Sequence, residues 1–165
     1  MNIEDMLLVG FDFSEKVLED YWVETYGSTT KAIFKKNGKL VPDTVEELYA
    51  EYTGGVVMNA TGYDILIDDE IRDEIKSTMS ILRNGNMRIG GLSHKEGKCD
   101  YIVIIDLIHN RTFRIPADIF FSEADQTISS TKTTTSHEFY WSGSYNKNDN
   151  LKPENTKFLL KYEVK

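Results

Sequence analysis

Gly62-Tyr63-Asp64-Ile65-Leu66-Ile67, then Asp68-Asp69-Glu70, then Ile71-Arg72-Asp73-Glu74-Ile75-Lys76-Ser77 is the stretch that decides the fold. It reads as two runs of strand composition joined by an acidic turn. With the strands paired antiparallel about Asp69, Ile67 faces Ile71, Leu66 faces Arg72 and Asp64 faces Glu74. Directly opposed residues share one side of a sheet, their Cβ atoms about 4.5–5.5 Å apart. Lys76, two residues past Glu74, emerges on that same side. Two carboxylates and an ammonium therefore converge. Acids that close repel unless a cation lies between them, and a hard divalent ion with oxygen ligands would serve.

The plainer alternative is a charged surface hairpin with Glu74 and Lys76 in water. Against it stand the apolar neighbours of Asp64 (Ile65, Leu66, Ile67) and the cost of opposing like charges. Asp73 is the misfit: it falls on the face of Ile71 and Ile75, which should be apolar, so a bulge or an edge position is expected.

Outward from the hairpin, Ser14–Thr25 has helical spacing, with Ser14 as cap and Gly27 beyond its end. Pro42-Asp43 opens a second helix in which Val45, Leu48, Tyr49 and Tyr52 share a face, stopped by Gly54-Gly55. Asp43 and Glu46 fit a capping box. Downstream, the strand that carries Glu74 and Lys76 is expected to run on through Met79 and Ile81, and Met87–Leu92 is a further short strand. Tyr101–Ile108 is an apolar run broken only by Asp106, as in a strand buried on both faces. Thr112–Ile115 is a strand, Ala117–Ala124 a short helix and His137–Trp141 a strand, with Tyr140 and Trp141 assigned to the core. The Ser/Thr-rich Thr127–Ser136 segment makes a loop or an exposed strand. Phe158–Val164 alternates apolar and charged residues as a final strand. The sum is a mixed sheet flanked by helices, α/β or α+β, in one domain of 165 residues.

Composition is that of a soluble globular chain, 40% apolar and 28% charged. No apolar run approaches the roughly 20 residues of a membrane helix, and Met1-Asn2-Ile3-Glu4-Asp5 lacks the basic start of a signal peptide. The single cysteine, Cys99, rules out an internal disulfide framework and fits a reducing cytoplasm; it reads as a small core residue. A net charge of −8 argues against a passive nucleic-acid coat, though metal-binding carboxylates inflate the acidic count. His94, His109 and His137 lack the spacing of a zinc site.

Asp64 followed by Glu74-Ile75-Lys76-Ser77 resembles the signature of the PD-(D/E)xK nuclease superfamily, the restriction-endonuclease-like fold. The resemblance extends from about Val45 to Phe120. Val45–Glu51 with Gly54-Gly55 is similar to the first core helix, and Asn86–Leu92 followed by Cys99-Asp100-Tyr101 to the segment after the ExK strand. Thr112–Pro116 with Ala117–Phe120 is similar to the closing strand and helix. Asn59-Ala60-Thr61-Gly62-Tyr63 replaces the proline that precedes the Asp in the signature. The resemblance implies an α/β restriction-endonuclease-like mixed sheet flanked by helices, with a nuclease core at about 43–121, an N-terminal helical extension 1–42 and a β-rich part 122–165.

It also implies a Mg²⁺-dependent DNA endonuclease, most specifically one of restriction type, with Mn²⁺ as a substitute metal. Asp64, Glu74 and the carbonyl of Ile75 would hold the metal and Lys76 would act beside it, leaving a 5′-phosphate and a 3′-hydroxyl. Glu46 matches a helix acid that binds metal in some members, and equally reads as the capping partner of Asp43. Ser77 either bonds near the site or continues the strand. Arg83, Arg88, His94, Lys95 and Lys98 are candidate contacts to the DNA backbone, or an ordinary solvated loop. Cutting both strands requires two active sites, hence an expected homodimer. The rival functions are a non-catalytic protein- or nucleic-acid-binding module on the same fold, and a repair or phage DNA-processing nuclease.

Overall fold

A computed structural model describes residues 10–27, 40–58, 62–78, 87–92, 95–123, 126–130, 135–141 and 160–164. In chain order the elements are α1 (Glu15–Tyr26), α2 (Leu40–Thr53), β1 (Val56–Val57), β2 (Ile65–Ile67), β3 (Ile71–Thr78) and β4 (Met87–Ile89). β5 (Tyr101–Asp106), β6 (Arg111–Pro116), α3 (Ala117–Glu123), β7 (Gln126–Ser130), β8 (Thr135–Trp141) and β9 (Glu163–Val164) follow. A six-stranded sheet runs in the order β1-β2-β3-β5-β6-β9, and a second sheet in the order β4-β8-β7. The first sheet is mixed: β3 and β5 are parallel, while β1, β2, β6 and β9 pair antiparallel with their neighbours. With helices against it, the fold is α/β.

The deciding hairpin forms in the expected register, Ile65 opposite Asp73, Leu66 opposite Arg72 and Ile67 opposite Ile71. Its turn explains the acids there. Asp68 and Asp69 both take positive φ, 51° and 58°, which Asp tolerates better than branched residues. The Glu70 N–H closes the turn on the Ile67 carbonyl at 3.1 Å.

β5 is buried on both faces, as its apolar run required. Ile102 and Ile104 pack with Ile89, Leu92, Phe113 and Phe120 on one side. Val103 and Ile105 pack with Ile65, Ile75 and α2 on the other. From α2 come Val41, Val45, Leu48 and Tyr49, the spacing of one helical face.

Helix α2 begins at Leu40, earlier than Pro42-Asp43 suggested. Proline is tolerated in a first turn, where its missing N–H has no intrahelical acceptor. Asp43 is consequently inside the helix, and the capping-box reading of Glu46 falls. The C-terminus closes as a Schellman motif: the Gly55 N–H donates to the Ala50 carbonyl at 2.9 Å and Gly54 turns with φ 67°. Gly55 also passes so close to β2 that a Cβ there would lie 2.7 Å from Ile65 Cγ2. Ser14 stands at the start of α1 without a capping bond from its side chain; Asp12 Oδ1 instead accepts the Ser14 N–H at 2.8 Å.

Two further expectations change. Among the described residues of the alternating C-terminal run, Glu163–Val164 are strand, while Leu160–Tyr162 turn and the Tyr162 carbonyl takes the Arg114 N–H at 2.8 Å; Phe158 and Leu159 lie outside the described residues. The Ser/Thr-rich segment contributes to β7 and β8, which pair with Ile128 opposite His137. The continuation of β3 through Met79 and Ile81 lies outside the described residues, as do the side chains of Tyr140 and Trp141. Among the described residues no helix is long and apolar enough to cross a membrane.

Asp73 is neither bulged nor on an edge. It lies on an interior strand, wholly buried, and Arg114 grips it with two bonds of 2.9 Å, Nε to Oδ2 and Nη2 to Oδ1. Tyr49 adds a third from its hydroxyl at 2.7 Å. Burial, then the Asp73 charge, push the Tyr49 hydroxyl well above its ordinary pKa, so it stays a donor. The guanidinium lies 3.6 Å from the centre of the Tyr101 ring, which β5 sets opposite Asp73. A charge is tolerated at this apolar position because it is fully paired. Breaking such a pair from one side costs about 3–5 kcal/mol. Arg114→Met is therefore expected to lower the urea midpoint by that much in free energy. The double variant with Asp73→Asn should lose less than the two single losses added together.

Candidate active site

The site lies where β2 parts from β3. Pairing ends at Ile65 opposite Asp73; one residue earlier, the Asp64 N–H donates to the Asp73 carbonyl at 2.9 Å. The Asp64 carboxylate then takes the Ile75 N–H on Oδ2 at 2.8 Å. Asp64 thus does not reach Glu74 as a ladder pair; its side chain replaces a strand as the partner of β3, the competition short acids offer a backbone. In an extended strand a residue's N–H and C=O point to the same edge, so the Ile75 carbonyl also faces the Asp64 side.

Glu74 and Lys76 project to the face of Ile102 and Ile104, their opposites on β5. Asp64 lies just outside β2, and its bond to the Ile75 N–H holds its carboxylate at the edge of β3, at the residue between Glu74 and Lys76. The surface-hairpin reading is overturned here. The Glu74 side chain is 0% exposed, and an ammonium stands on each oxygen: Lys76 Nζ at 2.5 Å from Oε1, Lys95 Nζ at 2.7 Å from Oε2.

Glu46 looks onto this cluster from α2. Its pKa is raised from 4.5 to about 7, by burial first, then by the charges of Asp64 and Asp43, with Lys76 opposing and Glu74 adding. Among the described residues no three His, Cys, Asp or Glu side chains gather as a metal-binding group. The donors present are the carboxylates of Asp64 and Glu74 and the carbonyl of Ile75. Such an all-oxygen set fits Mg²⁺, which binds through one or two carboxylates and keeps several waters.

The basic residues expected to meet DNA divide. Lys95 is part of the cluster itself. Lys98 is exposed, and its stem covers Gly62, where an added Cβ would come within 2.7 Å of Lys98 Cβ. With φ at 127°, Gly62 is the residue that lets this loop cross just before Asp64. Arg88 lies on β4 opposite Tyr140, with its side chain outside the described residues, as are Arg83 and His94 altogether. Cys99 is a core residue: burial raises its thiol to about 11, and Glu74 adds to the effect. His109 Nδ1 lies 2.7 Å from Asp106 Oδ2. Ser77 continues β3 opposite Ile105. No sequence signal marked Lys95 as a partner of Glu74, because the contact is made across the β3–β5 crossover.

No protein-family model matches the chain, and no curated protein matches it in sequence. Among solved structures, it is similar to that of a bacterial homing endonuclease, I-Ssp6803I. The identity is 17%, the TM-score 0.47, and the match covers 78% of this chain and 87% of that one.

The raised pKa of Glu46 has a consequence for stability. Its folded value lies above the unfolded one, so folding favours the protonated form. That contribution is fully present below about pH 4.5 and is lost as the pH rises through about 7. In metal-free buffer Glu46→Gln should therefore gain in Tm over the wild type across this interval. Equal differences at pH 4.5 and pH 8 would show that Glu46 does not feel the cluster.

Proposed function

We propose that the chain is a Mg²⁺-dependent DNA endonuclease, most specifically one of restriction type. The observation that carries the reading is Glu74, buried at the sheet's interior yet holding two lysines beside Asp64. A buried ion pair is weak as a stabilising device compared with apolar packing, whereas acids and ammoniums together match phosphodiester hydrolysis.

Asp64, Glu74 and the Ile75 carbonyl would hold Mg²⁺, and Glu46, whose carboxyl feels the charges of Asp64 and Glu74, would be a further ligand, directly or through water. Bound there, the ion supplies a water of lowered pKa and offsets charge on the phosphate oxygens. Lys76 reaches the same place from Glu74. As an ion-paired ammonium it has donors and no lone pair, so it positions the attacking water and faces the charge growing on phosphorus-bound oxygens. It is not the base. The water oxygen bonds to phosphorus as the bond to the 3′ oxygen breaks, the water's proton leaves to solvent, and the 3′ oxygen gains one. Lys95 and Lys98, with Arg83, Arg88 and His94, would meet the backbone phosphates that steer DNA to the site. Two sites are needed to sever both strands, which makes a homodimer the proposed active species.

Purified protein is expected to nick or linearise plasmid DNA with Mg²⁺ or Mn²⁺. Glu74→Ala and Lys76→Ala should each lose about a hundredfold or more, as for removal of a group aimed at transition-state charge. Equal background activity in all three proteins would sink the reading. Fixed fragments favour restriction, and a smear or cutting at branches favours repair or phage processing. A mobility shift without cleavage favours a binding module. Mg²⁺ should raise the Tm of the wild type and not that of Asp64→Asn.

A further inference from the structure

Glu74 has two carboxylate oxygens, and an ammonium stands on each. Lys76 is brought there by its own strand, two residues away on one face. Lys95 comes from the crossover between β3 and β5, and its position is built. Its N–H donates to the Leu92 carbonyl at 3.1 Å, and its carbonyl takes the Lys98 N–H at 3.0 Å. The Cys99 thiol also reaches that carbonyl, at 3.6 Å. Leu92 and Cys99, 1% and 5% exposed, anchor both ends of the turn in the core. The Lys95 side chain is 19% exposed, so its charge lies mostly out of water against a carboxylate wholly out of water.

A divalent cation on Glu74 and the ammonium on Oε2 draw on the same negative charge. They are competitors. An ammonium displaced in a partly dry site needs another anion, and the scissile phosphate is the anion that arrives with substrate.

We propose that Lys95 is a second catalytic lysine, a role that rests on the endonuclease reading above. It holds the second oxygen of Glu74 until the divalent cation binds, and then donates to a non-bridging oxygen of the scissile phosphate. The two halves predict opposite signs. Without Lys95 the cation meets less competition and binds more tightly, while the phosphate loses a donor and cleavage slows. A lysine present only to complete the fold would not give both.

The test compares wild type with Lys95→Met, Lys95→Gln and Lys95→Arg. The Mg²⁺ midpoint is read without DNA, from the thermal shift on titration. Cleavage is read as single-turnover nicking of supercoiled plasmid at saturating Mg²⁺. Lys95→Met should lower the Mg²⁺ midpoint by about threefold or more and slow cleavage by about tenfold or more. Lys95→Gln, which keeps a neutral donor, should do the same more weakly and serves if the Met variant does not fold. Lys95→Arg should hold the wild-type midpoint. An unchanged or raised midpoint in the folded Met or Gln variant overturns the proposal, as does cleavage within twofold of wild type. If the wild type cuts no DNA, the endonuclease reading fails by itself. The DNA-free midpoints then still decide whether Lys95 competes with the cation.

Discussion

Asp73 and Glu74 are consecutive on one interior strand, point to opposite faces, and are both withdrawn from water. Each carries a charge whose burial costs several kcal/mol unless it is paired. The partners come from four places: Arg114 on β6, Tyr49 on α2, Lys76 on β3 itself and Lys95 on the crossover. Strand β3 can lie in the sheet only when these elements are in place. Its neighbours are thus fixed by charge as well as by apolar fit.

The two acids are paired by different chemistry. Asp73 faces a guanidinium, whose rigid fork makes two parallel bonds and which also lies over the Tyr101 ring. Glu74 faces two ammoniums, compact charges on flexible stems. An arginine fork with a tyrosine closes a site. Lysines that remain 25% and 19% exposed leave one open to exchange with a cation or a phosphate. The closed pair belongs to the fold, and the open one suits it for chemistry.

The local part of this was legible in the chain. Period-two alternation around Asp69 defined the hairpin, and the unbroken run from Tyr101 defined the inner strand. The helical face of Val45, Leu48 and Tyr49 was equally plain. What was hidden depends on distance along the chain. Asp73 looked misplaced because its partner lies 41 residues away, and Lys95 looked like a loop residue because Glu74 is 21 residues before it. Glu46 was ambiguous for a smaller reason. Starting the helix before Pro42 moves Asp43 out of the cap, and only then does Glu46 lose its local partner and belong to the cluster.

The place of the site follows from unequal strand lengths. β3 runs for eight residues, from Ile71 to Thr78, while β2 covers only Ile65–Ile67. Past the end of β2, the edge of β3 that begins at Ile75 has no β2 residue opposite it. A backbone group left there would need water or a side chain, and Asp64 provides the side chain by taking the Ile75 N–H. One bond therefore does two things: it satisfies the strand edge and sets a carboxylate beside a backbone carbonyl. Gly55 and Gly62 permit it, one by letting the end of α2 approach Ile65, the other by letting the Lys98 loop cross. Had β2 continued two residues further, its backbone would have taken the Ile75 N–H in place of the Asp64 carboxylate. The chemistry proposed for this chain begins at a strand that stops early.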